Sequence, residues 1–322
     1  MNRSWKKFSA YQGAGWRPRD ESMALELARS AAPRVNSEYG VLKAVLLYCP
    51  GKELSKIKDP NLVQHLARID PGGIRREYAA LNAVFRMEGA AVHILRTGLE
   101  RPGRGPAFNL MYVRDLFFNT LEGAVVARMA GAARAGEESL AVPALVSLGI
   151  PINKMISGAG LFEGADALWL NEKTVLCGTG NRTNALGFLQ LRQSLALQGV
   201  NAVETPLPDG VQHLLGLLQI VDRNLALLRT KKAPNRLKAV LRRYGIDIIP
   251  VPETDEVGLR QGMNIVTVAP RRIIMPARCP GLKKLYLSAG LSVAAEVGIG
   301  QLINGAGGLA CAAGILSREV RD

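Results

Sequence analysis

The sequence is poor in cysteine, histidine and aromatic residues, and each shortage excludes something. Its four cysteines, Cys49, Cys177, Cys279 and Cys311, lie far apart, with no CxxC pair and no metal-ligand spacing. A zinc centre and a disulfide scaffold are therefore set aside, no metal or cofactor is expected, and a reducing, cytoplasmic setting fits. Of the three histidines, His65 falls in a polar helical stretch and is expected to be exposed. His93 sits in an apolar run and reads as a core residue. Aromatics make up only 5% of the chain. The most basic segment, Lys231 to Gly245, interleaves none among its charges and contains no acid. It reads as a surface helix with a solvated basic face rather than a nucleic-acid site. No apolar core marks Met1 to Arg19 as a secretory leader. Val297 to Leu316 lacks charge, but its glycines, Gln301 and Asn304 suit a glycine-rich loop and helix start, not a membrane span.

What the chain does contain is enough apolar residue for a large core. Hydrophobic residues are 48% of 322, and the net charge is +14. Residues 1–36 read as an N-terminal extension with a short helix at Glu21 to Ala31, and residues 37–322 as one domain. Val41 to Tyr48 has strand character, Ile74 to Met87 is an amphipathic helix, and Ala91 to Leu95 is a second strand. Beyond residue 100 a pattern recurs: two apolar strands around a short polar turn. It appears at 116–127, 167–176, 217–228 and 265–275, with starts roughly 50 residues apart. Helical stretches follow at Thr183 to Leu197, Arg236 to Tyr244 and Leu282 to Leu287. With the earlier strands as a looser unit the count is five. The reading is an α/β fold of five units, each of strands plus one helix, closed into a ring, with tandem α/β domains as the alternative.

Polar residues stand in phase with this repeat, just before the inner strands. Asp115 precedes the first hairpin, Glu163 and Asp166 the second, His213 the third, and Asn264 opens the fourth. Cys311 closes the series, in the glycine- and alanine-rich run Gly305 to Gly314. One Asp or Asn before a strand is an ordinary turn residue, and a lone cysteine is usually a small buried side chain. An acid pair, an imidazole and a thiol in phase would instead converge on one central pit of a ring, where the thiol suits a nucleophile.

Six motifs in order carry a resemblance. They are Asn109–Asp115 (NLMYVRD), Phe162–Asp166 (FEGAD), Asn181–Asn184 (NRTN), His213–Leu214, Met263–Val266 (MNIV) and Gly307–Cys311 (GGLAC). From about residue 40 onward the series resembles the guanidino-group modifying superfamily: arginine deiminases, dimethylarginine dimethylaminohydrolases and amidinotransferases. The resemblance implies the pentein fold, a five-bladed α/β propeller of ββαβ repeats. It also implies that Cys311 attacks a guanidinium carbon as thiolate and that His213 protonates the departing amine and then activates water. Asp115 would bind the planar cation, with Glu163 as a second acid holding the histidine or the guanidinium. Arg182 and Arg134 match positions that hold a substrate carboxylate, and Asp166 and Asn264 are assigned with them to substrate binding.

The chain departs from the superfamily pattern near the thiol. Leu215 stands where many members carry an aspartate, a position that dimethylarginine-type hydrolases also leave without an acid. Ala310 replaces a frequent histidine, Ala313 a frequent threonine, and Ala165 a glycine. The implied activity is cysteine-dependent hydrolysis of a guanidino or ureido substrate, an arginine derivative of the dimethylarginine type, through an S-alkylthiouronium on Cys311. The alternatives are an amidinotransferase, in which an amine resolves the intermediate, and a non-catalytic pentein. No nucleic-acid or membrane partner is implied, and a homo-oligomer is compatible.

Overall fold

A computed structural model describes residues 5–98, 100–101 and 103–321. The chain divides into two compact units, Met1–Ala32 and Pro33–Asp322. In the small unit two single turns, Trp5–Lys7 and Ser9–Tyr11, precede the helix Met23–Arg29. Ser22 caps that helix by accepting from the Leu25 N–H, and the helix buries none of its residues. The sequence places the boundary at residue 37, but the large unit starts at Pro33. Its first residues are held there: the Val35 N–H donates to the Thr120 carbonyl, and Asn36 exchanges hydrogen bonds with the Arg321 backbone.

Among the described residues the large unit contains five three-stranded sheets, four of them made the same way. A tight antiparallel hairpin is followed by a helix and a strand parallel to the hairpin's second member. The hairpins are Phe117–Thr120 with Gly123–Val126, Ala167–Asn171 with Thr174–Thr179, Leu218–Asp222 with Leu225–Leu228, and Val266–Ala269 with Arg272–Pro276. The parallel strands are Ile152–Met155, Asn201–Pro206, Asp247–Pro250 and Ser292–Val297. The fifth sheet is assembled from both ends of the unit. Gly314–Arg318 pairs antiparallel with Leu42–Leu47, which pairs parallel with Ala91–Ile94. This is the expected five-repeat α/β architecture, and the last strand completes the first repeat. A small ladder, Glu100–Arg101 with Gly105–Pro106, stands outside the five.

The two hairpin strands of four repeats are legible because they are almost wholly buried and rich in apolar residues, whereas the fifth repeat's first strand, Gly314–Arg318, lies in a stretch that the sequence reads as a loop and helix start. The parallel third strands are edge strands with mixed burial and polar residues, so no apolar run marks them. The helix Glu137–Ser147 is masked in the sequence by Pro143 and buries only Glu137, Ala141 and Leu145. The helix Pro71–Met87 shows the opposite case. Asp70 caps it by accepting from the Gly72 and Gly73 N–H groups, Pro71 opens it, and Ile74, Tyr78, Leu81 and Phe85 bury one face. Each such apolar side chain contributes roughly 1.5–3 kcal/mol.

The basic segment forms the helix Asn235–Arg243, burying Leu237 and Leu241. The uncharged tail forms two short helices, Gly300–Asn304 and Leu309–Ala312, before the closing strand. Among the described residues no helix is long and apolar enough to cross a membrane. Two histidine expectations are corrected. His65 is buried at 3% exposure, and its Nε2 lies 3.0 Å from Asn109 Oδ1. The polarity of its segment hid that partner. His93 is half-buried because its strand is an outer one.

Two glycines with positive φ separate strain from steric contact. Gly149 (φ +75°) has nothing within 4 Å of an added Cβ, whereas at Gly123 (φ +111°) that Cβ falls 2.2 Å from the Pro151 carbonyl oxygen. Gly149→Ala is expected to cost about 1–2 kcal/mol, the left-handed penalty alone. Gly123→Ala is expected to cost about 3 kcal/mol or more, because the Pro151 carbonyl must also move. Thermal unfolding checks this, and equal losses would contradict it.

Candidate active site

The site is built by repeating one local device. Before each of three inner strands the chain makes a single tight turn: Val113–Asp115, Gly164–Asp166 and Leu214–Gly216. Glu163 and His213 occupy the same place, the extended residue that enters the turn. Asp115 ends the equivalent turn. One ligand atom from each of Asp115, Glu163 and His213 lies within 4.8 Å of the other two. Residues 50 and 98 positions apart in the chain thus share one site because the inner strands share one centre.

His213 Nε2 donates to Glu163 Oε2 at 2.7 Å. Glu163 Oε1 accepts from the Ala130 N–H at 3.2 Å and lies 3.5 Å from Arg182 Nη1. Burial alone would neutralise Glu163, but the hydrogen bond and charge of His213, with Arg134 and Arg182, hold its carboxyl below the usual range. Burial likewise opposes the imidazolium of His213. Asp115, Glu163 and Asp166 outweigh it and raise the histidine above its ordinary value. At neutral pH the pair is therefore carboxylate and imidazolium. A metal ion could reach the same three groups, but His213 Nε2 is taken by Glu163 and Asp115 Oδ2 by Arg134.

Cys311 sits in the turn Leu309–Ala312. Asn264 fixes it from two sides: its Oδ1 accepts from the Ala310 N–H at 2.6 Å and the Cys311 N–H at 3.3 Å, and its Nδ2 donates to Cys311 Sγ at 3.2 Å. Gly308 is required here, since an added Cβ would lie 2.5 Å from Asn264 Cγ. Burial first, and the Asp115 carboxylate second, push the thiol up to about 11, against the Asn264 and Gly308 hydrogen bonds. Cys311, His213 and Asn264 line one cavity of about 170 Å³, whose walls include Val211, Leu215, Val257, Met263 and Arg229.

Two residues expected to hold substrate are placed elsewhere. Arg134 is buried at 3% exposure. Its guanidinium is taken up by Asp115 Oδ2, by Glu137 Oε2 at 2.9 Å, and by the carbonyls of Asn109 and Tyr112. Asp166 is fully buried. It accepts from Thr183 Oγ1 at 2.7 Å and the Leu214 N–H at 3.0 Å, so it sets the turn that carries His213 rather than facing the cavity. Arg182 is half-buried, near Glu163 and 3.4 Å from Gln64 Oε1. Glu137, Thr183 and Arg229 escaped the sequence reading. Glu137 lies three residues after Arg134, helical pairing distance, and Thr183 directly follows Arg182 in the NRTN motif.

The most telling atom is Asp115 Oδ1. Asp115 is 2% exposed, and Oδ1 has no hydrogen-bond partner although Oδ2 is held by Arg134. A buried carboxylate oxygen without a donor is costly and calls for one.

A family model for arginine deiminase matches residues 104–231. An uncharacterized protein of Aeropyrum pernix is 30% identical over 188 residues, 58% of this chain and 65% of its own length. An arginine deiminase of Listeria monocytogenes is 30% identical over 260 residues, 66% of this chain and 62% of its own. The chain therefore covers less than two thirds of either relative. The structure of a dimethylarginine dimethylaminohydrolase from Pseudomonas aeruginosa, a cysteine-to-serine mutant complexed with citrulline, superposes with a TM-score of 0.69. It is 20% identical, and the match covers 85% of this chain and 99% of that one. That likeness is one of fold.

The electrostatics can be read from the thiol itself. Alkylation of Cys311 by iodoacetamide, followed peptide by peptide by mass spectrometry, is expected to keep rising past the ordinary thiol midpoint of about pH 8.5. Asp115→Asn is expected to lower the midpoint, because it removes the second cause of the upward shift. A plateau below about pH 8 in the unsubstituted protein would contradict the assignment.

Proposed function

We propose that this chain, a member of the pentein superfamily, is a cysteine-dependent hydrolase of a guanidino substrate, an arginine derivative of the dimethylarginine type. The unpartnered oxygen of Asp115 carries the reading. A guanidinium is flat and cationic and offers paired N–H groups, so it supplies the missing donor and balances the acids together. Leu215, Val211, Val257 and Met263 give the cavity apolar walls. They suit N-methyl groups better than the bare nitrogens of arginine, and Leu215 stands where a second acidic clamp would otherwise sit.

The proton inventory sets the order of steps. The free site holds a thiol and an imidazolium. Binding a cation beside Asp115 offsets the charge that raises the thiol, and the Cys311 proton leaves to solvent. The thiolate, held by Asn264 Nδ2, attacks the guanidinium carbon. His213, oriented by Glu163 through Nε2, gives the proton of its other ring nitrogen to the departing amine. The S-alkylthiouronium remains on Cys311, and neutral His213 takes a proton from water. The resulting hydroxide adds to the same carbon, the C–S bond breaks, the added oxygen gives its proton to solvent, and a ureido product leaves with the thiolate restored. Arg182, at the edge of the site, is the group available to a substrate carboxylate.

Incubation with N,N-dimethylarginine is expected to release dimethylamine and leave citrulline, identified by mass spectrometry, and Cys311→Ser is expected to abolish this. Asp115→Asn is expected to lower kcat/KM by about 100–1000-fold, the scale of losing one preorganised charge contact. Thr183→Val removes the hydroxyl that donates to Asp166 and accepts the Glu163 N–H, and is expected to lower kcat by about 10-fold with KM little changed. Decay of the trapped adduct that speeds up with ornithine or glycine would turn the assignment to amidino transfer. No turnover of any guanidino compound, with no labelling of Cys311 by a haloacetamidine, would leave a binding protein only.

A further inference from the structure

A second pocket shares Leu215 with the active-site cavity and is otherwise walled by other residues, among them Glu38, Arg114, Thr267, Ala310 and Arg318. Its volume is about 20 Å³, room for one particle little larger than a water. None of its lining residues is more than 9% exposed. Two guanidinium groups therefore meet at a site with little access to bulk solvent.

Their charges do not balance. Arg114 Nη2 donates to Glu38 Oε1 at 3.1 Å and Oε2 at 3.3 Å, and Glu38 Oε1 also accepts the Trp169 N–H at 3.2 Å. Arg318 has no carboxylate of its own. Its Nη1 donates to the carbonyls of Gly40 and Thr267, both at 2.8 Å. The charged groups that act on Arg318 are Glu38 and Arg114, one acid and one base. Burial pulls Arg318 down to about 10, Glu38 opposing and Arg114 adding, so it stays cationic at neutral pH. Two cations and one anion leave one positive charge in the interior. Both Nε–H groups, of Arg114 and of Arg318, are buried with no partner.

An unpartnered N–H calls for an acceptor, and an uncompensated buried charge calls for a counter-charge. Water answers the first need but not the second. Phosphate, sulfate and carboxylates carry the charge but exceed the volume. We propose that this pocket is a binding site for a small monoanion of halide size, chloride in ordinary saline, held by the guanidinium groups of Arg114 and Arg318. The proposal does not rest on the catalytic reading. Ala310 and Ala313, on either side of the Cys311 turn, border the pocket, so occupancy would brace the segment that carries the thiol.

The test compares thermal unfolding in sodium chloride, sodium bromide and sodium gluconate at equal ionic strength, gluconate being too large to enter. Chloride and bromide are expected to raise Tm over gluconate by about 2–4 °C, and Arg318→Met is expected to erase the difference. Anomalous diffraction from bromide-soaked crystals of the unsubstituted protein, which needs no variant to fold, is expected to give a peak between the two Nε atoms. No anomalous signal there at saturating bromide, or a halide gain that persists unchanged in Arg318→Met, would overturn the proposal.

Discussion

One buried guanidinium underlies the arrangement of the site. Arg134 is held upward in pKa by Glu137, Asp115 and Glu163, against the opposing effect of burial. It grips Glu137 on one side and Asp115 on the other. Glu137 also accepts the Asn109 N–H, and Asn109 in turn accepts from His65 and donates to the Val63 carbonyl. Removing one member of such a network leaves a stranded charge, which typically costs about 3–5 kcal/mol. The arrangement fixes the carboxylate of Asp115 through one oxygen, Oδ2, and leaves Oδ1 without a partner.

The remaining geometry follows from repetition. A turn before each inner strand is an ordinary way to start a hairpin, and it exposes one side chain toward the centre. With five repeats around one centre, several such side chains meet. The chain assigns them different chemistry: an acid, a second acid, an imidazole, an amide and a thiol. Their supports are as distributed as they are. Asp166 is held by Thr183 and sets the backbone of Leu214, next to His213. Asn264, from the fourth repeat, ties down the turn that closes the fifth.

The charge balance keeps the free site quiet. A thiol raised toward about 11 is a weak nucleophile at neutral pH, and a histidine held as imidazolium is not a base. Both states depend on nearby acids, and a bound cation changes that balance most for the thiol, whose upward shift Asp115 contributes to. In the proposed reaction, selectivity for a cationic substrate and activation of the thiol would both come from the charge of Asp115.

Much of this was written in the sequence. The four hairpins were legible because their strands are almost wholly buried and therefore rich in apolar residues. Asp115, Glu163, His213, Asn264 and Cys311 were legible because each stands within a few residues before the first strand of its repeat. The edge strands and the helix with Pro143 were not, since partial exposure removes the pattern that marks them. Only the tertiary structure decided what the buried polar groups do. It turned Arg134 and Asp166 inward as supports, gave His65 a partner, and set Arg114 and Arg318 around one pocket. A side chain's partner in the interior is chosen by which strands become neighbours, and hydrogen bonds across the ring join residues too distant in the chain for any local pattern to record.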